Sequence, residues 1–277
     1  MIREFKLSNI EQCIKLIKNV NKGIYKDRFY PIDEEGIQKR LIKRHEQSDV
    51  KVLLYFDNNE VTGVLELLID NDEKYLQILV IFVDGDVTNK LDKYFGYIKN
   101  EYSAYKLHYV LSDYNTNYIS YMEKLHAKSD GYETMINIKY DNFIGEDSSN
   151  VIEMSKEHHN EFIQMHNKMY PGAFWTGELL LKEDSRFEKY VILENEKLVG
   201  YSITSNLGRT EEEIYFVHSY TLKQKEELIN KSLINAFKRA DSVQLLLDIY
   251  EAKDIDNYKK IGFKEKEIII TYLLDSI

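Results

Sequence analysis

The feature that most constrains the fold of this 277-residue chain is an internal repeat. Apolar periodicities predict a strand, two helices, three consecutive strands, a helix, a strand, a helix and closing strand residues, and this order occurs twice. Around a glycine, Glu60–Val64 aligns with Lys197–Tyr201, on the second strand of a predicted hairpin. Near the end of each half, Gly131–Glu133 aligns with Gly262–Lys264. We therefore expect two units of one architecture.

The boundary between the units is expected in the polar stretch at residues 145–150, because short polar segments rich in Gly, Ser, Asn and Asp connect elements rather than form them. This gives an N-terminal domain at 1–147 and a C-terminal domain at 148–277. One irregular α/β domain, with chance similarity between its halves, stays open as the alternative.

Composition and charge exclude several classes of protein. Apolar residues make up 43% of the chain and charged residues 30%, as in globular proteins. With Cys13 as the single cysteine, no disulfide within the chain and no cysteine-based zinc site can form. A net charge of −10 without a basic stripe argues against nucleic-acid binding and is compatible with a cationic substrate such as an amine. The charged N-terminus and the short longest apolar stretch, Leu76–Val83, lead us to expect a cytoplasmic protein without membrane partners.

Three segments of the second half carry a more specific resemblance. Asn257–Phe263 looks like the pattern L-Y-x-K-x-G-F, and Tyr190–Tyr201 looks like a hairpin whose second strand holds a glycine after an apolar pair. Pro171–Leu180 lies where a second helix begins. Together with the order of elements, these segments resemble the GNAT superfamily of acyl-CoA-dependent N-acyltransferases. The resemblance covers essentially the whole chain, as two GNAT-like units in tandem.

This resemblance implies a fold class, a reaction and a cofactor. The fold would be α/β (α+β), with two tandem units that each contain a mixed, mostly antiparallel sheet flanked by helices. The reaction would be transfer of an acetyl group from acetyl-CoA to a small-molecule amine or a peptide amino group. The first unit is expected to be degenerate, so the second unit would carry the activity.

The cofactor motif of the family, R/Q-x-x-G-x-G/A at the start of the third helix, is poorly matched. Such a motif works because free backbone N–H groups and the helix dipole attract the pyrophosphate. In the second half the resemblance assigns cofactor contacts to Val217, Lys225, Leu228, Ile229 and Asn230. Leu228 and Asn230 replace the two small residues of the motif, and Glu226 and Glu227 are placed where the phosphate oxygens would lie. In the first half, Asp86–Leu91 has neither the glycine pair nor the basic residue.

Three residues of the second half are candidates for catalysis. Tyr258 matches the family tyrosine that protonates the departing thiolate, although a packing role on a short helix is the alternative; the matching residue of the first half is Met122. Glu213 is a candidate general base, with a solvated turn formed by Glu211–Glu213 as the alternative. His218 could act as a base or bond the acetyl carbonyl, and its alternative is a structural role.

The acceptor substrate would meet an aromatic wall. Phe174 and Trp175 follow the first helix of the second half, where the resemblance places part of the substrate site. Aromatic rings there could enclose an apolar or cationic acceptor, and packing is the alternative. His158, His159 and His166 lack the i, i+4 spacing of a helical metal site, so no metal is expected.

Two functions from different classes therefore stand open. The first is an N-acetyltransferase in which Tyr258 is the acid and the backbone amides near Lys225–Asn230 receive phosphate. The second is a catalytically degenerate GNAT-fold binding or scaffold protein, which Glu226 and Glu227 favour. Transfer of a longer acyl or aminoacyl group is a third, weaker alternative.

Overall fold

The computed structural model describes residues 1–22, 27, 30–173, 175–206, 211–248 and 255–275. The chain forms two compact units. Unit 1 comprises Met1–Tyr132 and Ile268–Ile277, and unit 2 comprises Glu133–Glu267. Among the described residues, none of the helices combines the length and the apolar character that a membrane span requires.

Unit 1 is a sheet with helices on both faces. Its elements are β1 (Ile2–Glu4), α1 (Ile10–Val20), α2 (Glu34–Glu46), β2 (Val50–Asp57), β3 (Glu60–Asp70), β4 (Tyr75–Val83), α3 (Val87–Glu101), β5 (Lys106–Ser112) and α4 (Thr116–Lys124), completed by the C-terminal strand β12 (Lys264–Leu274). The strand order is β1-β2-β3-β4-β5-β12. The β4–β5 pair is parallel, and the other pairs of this sheet are antiparallel.

Periodicity explains how this sheet buries both faces. Successive strand residues point to opposite sides, so Leu53 packs in the core beneath α3 and α4, and Leu54 packs in the core beneath α1 and α2. Helix α1 contributes Cys13, Leu16 and Ile17, which lie three and four residues apart and so share one face of the helix. Burial raises the pKa of the Cys13 thiol to about 12, in keeping with a core role.

Unit 2 repeats this architecture. Its elements are β6 (Lys128–Lys139), β7 (Val151–Glu153), α5 (His159–Met169), α6 (Gly177–Lys182), β8 (Phe187–Glu194), β9 (Lys197–Ser205), β10 (Glu211–Ser219), α7 (Leu222–Ala236), β11 (Ser242–Asp248) and α8 (Ile255–Ile261). The strand order is β6-β11-β10-β9-β8-β7, and only the β10–β11 pair of this series is parallel. One core lies beneath α5 and α6, and the other lies beneath α7 and α8. The predicted fold class is confirmed.

The division of the chain differs from the predicted boundary after residue 147. The strand that follows α4, β6, pairs with β11 from Glu133 to Lys139 and so belongs to unit 2. The last strand, β12, pairs with β5 from Ile269 to Leu274 and belongs to unit 1. The polar stretch at 145–150 is therefore a loop within unit 2. A local composition rule could not find this, because strand pairing over more than a hundred residues decides it.

The two hairpins confirm the repeat in detail. The β2–β3 turn has positive φ at Asn58 and Asn59, and the β8–β9 turn has positive φ at Asn195 and Glu196. Two successive residues with positive φ give the turn twist that suits a tight hairpin. Each hairpin also shifts register beside its glycine, Gly63 in unit 1 or Gly200 in unit 2. The alignment around these glycines therefore reflects structure.

The second proposed alignment, of Gly131 with Gly262, is wrong. Gly262 ends α8 with φ +115, and a Cβ there would lie 2.0 Å from the carbonyl oxygen of Asn142. Gly131 lies inside β6, has no such constraint and has nothing within 4 Å of its Cβ position. The residue of unit 1 with the same task is His126, which follows α4 with φ +55. The alignment matched glycine to glycine and so missed His126, which takes a conformation that is usually occupied by glycine.

Candidate functional site

The parallel strands β10 and β11 of unit 2 pair over only part of their length. Their ladder runs from Glu211 and Ser242 to Ile214 and Leu245. The strands continue beyond that pair, β10 to Ser219 and β11 to Asp248, without pairing with each other. The gap opens where β10 shifts register against β9, because Tyr215 is an extra residue between two paired ones. Such a bulge bends a strand and increases its twist, which moves β10 away from β11.

Unit 1 contains the same opening. The ladder between β4 and β5 ends at Ile78 and Tyr109, and β4 shifts register against β3 at Leu79. However, a tyrosine hydroxyl already uses the backbone in this opening. The Tyr118 hydroxyl of α4 donates to the carbonyl oxygen of Ile81 at 3.2 Å. The two units thus share an opening between their parallel strands, but the side chains around the opening differ.

The start of α7 in unit 2 is closed by its own side chains. Thr221 Oγ1 accepts from the Gln224 amide at 3.2 Å, and Gln224 Oε1 accepts from the Thr221 amide at 3.1 Å. This reciprocal pair is a capping box. Gln224 Nε2 also donates to Glu194 Oε1 at 2.7 Å. Only Leu222 and Lys223 keep amides that, by helix geometry, have no partner inside the helix.

The prediction of free amides at Lys225–Asn230 is therefore wrong. The helix begins at Leu222, ahead of the aligned motif, and the Lys225 amide already donates to the Thr221 carbonyl. Only Tyr220 and Thr221 separate β10 from α7, so the six-residue cofactor motif has no room there. The prediction failed because Thr221, a good N-cap residue, is placed one turn ahead of the aligned motif.

The side chains of the predicted cofactor contacts lie in different surroundings. Leu228 and Ile229 are in the core beneath α7, and Val217 is in that core as well. Asn230 is buried next to Gly145. Glu226 is exposed, and Glu227 accepts from Asn150 at 3.4 Å, so both lie within the helix rather than over its first amides. Of this set, Val217 is placed on the segment of β10 beyond the ladder.

Tyr258 is on α8, inside the core of unit 2. Its side chain is 3% exposed, and its ring contacts Phe263 edge-on with centroids 6.1 Å apart. The Lys225 ammonium lies 5.5 Å from the ring centroid, within the range of a cation–π interaction. The packing role is thus real, and it holds the phenol next to the first turns of α7. Met122 takes the matching buried place on α4 in unit 1 and has no hydroxyl to donate.

Glu213 and His218 share the face of β10 that is turned away from α7. The glutamate lies in the strand and not in a turn, because β10 begins at Glu211. Gln244 Nε2 donates to Glu213 Oε2 at 3.1 Å. The His218 ring contacts Tyr201 and Tyr220, at centroid distances of 6.0 and 5.7 Å. The two candidates are on opposite sides of the Tyr215 bulge along the strand.

Of the two residues predicted to form the aromatic wall, the structure describes Trp175. Trp175 packs edge-on against Phe187, with centroids 5.0 Å apart, and Arg186 lies over the indole at 5.0 Å. Trp175 also contacts Tyr215, with centroids 6.4 Å apart. Phe174 lies outside the described residues. Trp175 is therefore near the bulge in β10, and its contacts are also packing contacts.

His166 is a residue that the sequence considered only as a metal ligand. It is fully buried beneath α5, with Nδ1 at 2.9 Å from the Tyr201 hydroxyl and Nε2 at 2.8 Å from the Trp175 carbonyl oxygen. The carbonyl accepts, so Nε2 carries the proton and Nδ1 accepts from Tyr201. Burial lowers the pKa of His166 below its usual value, although the Trp175 carbonyl acts in the opposite sense. Its position on the apolar face of α5 was the signal for this role.

The described residues form no metal centre. Within the part of the chain that the structure describes, no three His, Cys, Asp or Glu side chains are grouped so that they could hold an ion.

In unit 1, the first turn of α3 is capped by Asp86, whose carboxylate accepts from the Asn89 amide at 3.1 Å. The Lys90 ammonium lies 3.3 Å from Asp57 Oδ2 and also donates to the Asp84 carbonyl. An acidic cap at this helix start opposes an anionic ligand.

Comparison with known proteins identifies the fold. No family model matches the sequence, and no curated protein matches it. Solved structures do match. A GCN5-related N-acetyltransferase from Sphaerobacter thermophilus has 12% identity and a TM-score of 0.71, with 100% of this chain and 96% of that chain covered.

Two further solved structures are similar to this chain over almost the whole length of both chains. A tandem GNAT protein from the clavulanic acid biosynthesis pathway has 10% identity and a TM-score of 0.68, with coverage of 99% and 98%. A GNAT-family acetyltransferase from Colwellia psychrerythraea has 11% identity and a TM-score of 0.58, with coverage of 99% and 99%. Likeness at such low identity concerns the fold, and the chain has a tandem GNAT fold, as the sequence predicted.

Proposed function

We propose that this protein is an acetyl-CoA-dependent N-acetyltransferase and that unit 2 transfers the acetyl group to an amine. The observation that carries the proposal is the opening between β10 and β11 after Ile214 and Leu245. An opened parallel ladder leaves a strand edge along which an extended, amide-containing chain can lie, as an added strand would. The pantetheine arm of acetyl-CoA has this chemistry.

Unit 2 is preferred over unit 1 for two reasons. In unit 1 the Tyr118 hydroxyl engages the Ile81 carbonyl, and Met122 stands where unit 2 has Tyr258. In unit 2 the segment Phe216–Ser219 follows the bulge at Tyr215 and lies beyond the β10–β11 ladder. Tyr258 lies on α8 beside Lys225.

The residues of unit 2 fit the phosphates of acetyl-CoA less well than they fit its pantetheine arm. The amides of Leu222 and Lys223 come before the Gln224 amide, which the Thr221 side chain caps. The Lys223 and Lys225 side chains are on the same first turns of α7. These groups would face the pyrophosphate. When bound, acetyl-CoA supplies an activated acetyl thioester. We therefore expect recognition to rest on the β10 edge more than on the helix start.

The residues of unit 2 would supply proton transfers. During transfer the amine nitrogen bonds to the acetyl carbon, and the carbon–sulfur bond breaks. The amine loses a proton to a base, for which Glu213 is the candidate and His218 the second one. The departing sulfur gains a proton, for which Tyr258 is the candidate donor. Each positioned acid or base contributes roughly 10²–10⁴-fold to such a step.

The direct experiment is a thiol-release assay with acetyl-CoA and a panel of amines. Tyr258→Phe should lower kcat by about 10²-fold and leave the Kd of acetyl-CoA unchanged. Tyr118→Phe makes the same chemical change in unit 1 and should leave both values unchanged. Turnover that survives in Tyr258→Phe and is lost in Tyr118→Phe would assign the activity to the other unit.

The second candidate function is a binding protein without turnover. The capping box of Thr221 and Gln224, with Glu194 next to it, favours this candidate because it closes the helix start. It predicts no thiol release with any amine in the panel. Acetyl-CoA binding without turnover in the wild type would favour it over the transferase.

A further inference from the structure

The β-bulge that opens the unit 2 sheet carries two aromatic side chains on one face. Successive residues of a regular strand point to opposite faces, and Ile214 and Val217 point into the core beneath α7. Tyr215 and Phe216, which lie between them, both pack against the core beneath α5 and α6. Contacts on that side of the sheet therefore hold the bulge, and with it the opening between β10 and β11.

His166 of α5 contacts the bulge directly. Its ring lies perpendicular to the ring of Phe216, with centroids 4.7 Å apart. Tyr170, the residue that follows α5, contacts both rings, with its centroid 4.8 Å from Phe216 and 5.2 Å from His166. Edge-to-face packing of rings is directional, so the orientation of His166 helps to fix that of Phe216.

Two hydrogen bonds fix the orientation of His166 itself. The Tyr201 hydroxyl of β9 donates to Nδ1 at 2.9 Å, and Nε2 donates to the Trp175 carbonyl oxygen at 2.8 Å. The Trp175 ring in turn packs against Tyr215, with centroids 6.4 Å apart. His166 thus reaches Phe216 directly and Tyr215 through Trp175, so one side chain connects both residues of the bulge to β9.

Unit 1 shows that the fold does not require a histidine at this place. Helices α1 and α5 have 11 residues each and follow a short 3₁₀ turn, and the eighth residue of α1 is the fully buried Ile17. The bulge of β4 has Leu79 and Val80 where β10 has Tyr215 and Phe216. A buried imidazole needs hydrogen-bond partners that an aliphatic side chain does not. The histidine and its hydrogen bonds therefore belong to unit 2 and not to the repeated fold.

We infer that His166 is a positioning residue, which fixes the bulge of β10 so that the opening beyond Ile214 and Leu245 keeps the shape that acetyl-CoA binds. It acts through Phe216 and Trp175. An opening that is held in advance raises affinity, because binding does not have to order the strand. The inference rests on the proposed function only in naming acetyl-CoA as the molecule that occupies the opening.

The test is calorimetric titration of the full chain and its variants with acetyl-CoA. His166→Leu removes the ring and both hydrogen bonds, and it should raise the Kd of acetyl-CoA by at least about tenfold. His166→Gln keeps a donor for the Trp175 carbonyl and an acceptor for the Tyr201 hydroxyl, so its Kd should stay within about threefold of the wild-type value. A wild-type Kd in His166→Leu would overturn the inference.

A matched control removes another buried histidine beside the same helix. His158 precedes α5, and its Nδ1 accepts from the Ser155 amide at 3.2 Å. His158→Leu should lower the melting temperature and leave the Kd of acetyl-CoA unchanged, when binding is measured well below both melting temperatures. If His158→Leu weakened acetyl-CoA as much as His166→Leu does, the role of His166 would be stability alone and the inference would be wrong.

A second variant tests the same contact from the strand. Phe216 is only half-buried, so Phe216→Leu serves as the test even if His166→Leu does not fold. It should raise the Kd of acetyl-CoA, and a wild-type value would overturn the inference. In the double variant, His166→Leu should add less than about threefold to the effect of Phe216→Leu, because residues that act through one contact are not additive. Effects that multiply in full would show that His166 acts by another route.

Hydrogen exchange without acetyl-CoA separates this inference from the proposed function. His166→Leu should accelerate exchange in Phe216–Ser219, and His158→Leu should not. This acceleration, together with a wild type that binds no acetyl-CoA, would remove the proposed function and keep the positioning of β10. Acetyl-CoA binding by the wild type, with equal exchange of Phe216–Ser219 in both variants, would keep the proposed function and remove the inference.

Discussion

Ile214 of β10 and Leu245 of β11 form the last pair of the parallel ladder in unit 2, and the next residue of β10, Tyr215, bulges out of its ladder with β9. In unit 1 the last pair is Ile78 and Tyr109, and the bulge again follows at once. In both units, therefore, a β-bulge directly after the last parallel pair opens the sheet. The side chains around it are preserved much less.

Gly262→Ala should destabilise unit 2 strongly. The new Cβ would lie 2.0 Å from the Asn142 carbonyl oxygen, and φ is +115, which alanine rarely adopts. A clash of this kind with backbone cannot relax by a side-chain rotation, so we expect a loss of at least about 3 kcal/mol. Gly131→Ala, in an open site on β6, should change the free energy of unfolding by less than about 0.5 kcal/mol. Urea denaturation of both variants checks this difference.

The last strand should stabilise the first unit. Ile270 of β12 is 8% exposed and packs in the core beneath α3 and α4. Ile270→Ala should therefore cost roughly 2–5 kcal/mol and increase hydrogen exchange in β5. Ile268→Ala, at a 42% exposed position of the same strand, should have little effect. If Ile270→Ala accelerated exchange only in β9 and β10, the pairing of β12 with β5 would be contradicted.

The stability of unit 2 should fall as the solution becomes acidic. The pKa of His166 is lower in the folded protein than in the unfolded chain, so the unfolded chain takes up the proton first. The stabilisation is complete above the unfolded pKa of about 6.5 and is lost as the pH falls toward the folded value. Calorimetric unfolding from pH 8 to pH 5 measures this loss.

His166→Gln should flatten that pH dependence. Glutamine offers a donor to the Trp175 carbonyl and an acceptor to the Tyr201 hydroxyl without a titrating group. His159→Gln, on the same helix, should leave the wild-type pH dependence in place. An unchanged slope in His166→Gln would assign the acid sensitivity to another group.

Tyr118→Phe should test how tightly the opening in unit 1 is held. The Ile81 carbonyl would lose the hydroxyl that donates to it at 3.2 Å. Loss of one partly buried hydrogen bond costs about 1 kcal/mol, which should appear as a lower midpoint in urea denaturation. A midpoint equal to the wild-type value would show that this hydroxyl does not stabilise β4.

The sequence predicted local structure and the repeat well. The order of strands and helices in each half was predicted because the apolar periodicity of the elements is strong, and the alignment around Gly63 and Gly200 matches the two observed hairpins. Long-range pairing was out of reach, since nothing in the sequence of β6 shows that it joins β11. For the same reason the sequence did not show that Asn137, Gln244 and Glu213 lie side by side on β6, β11 and β10.

The predicted site was partly displaced for a physical reason. The cofactor contacts were placed by aligning a motif along α7, but Thr221 caps the helix one turn earlier and Gln224 completes the cap. Residues from Lys225 onward thus bond within the helix.

Hydrogen exchange with and without acetyl-CoA tests the central claim most directly. If unit 2 holds the cofactor along the opened strand, saturating acetyl-CoA should slow exchange of the amides in Tyr215–Ser219 of β10. The equivalent segment of β4 in unit 1, Val80–Val83, should exchange at the same rate with and without the cofactor. Protection in Val80–Val83 alone, or in neither segment, would contradict the account.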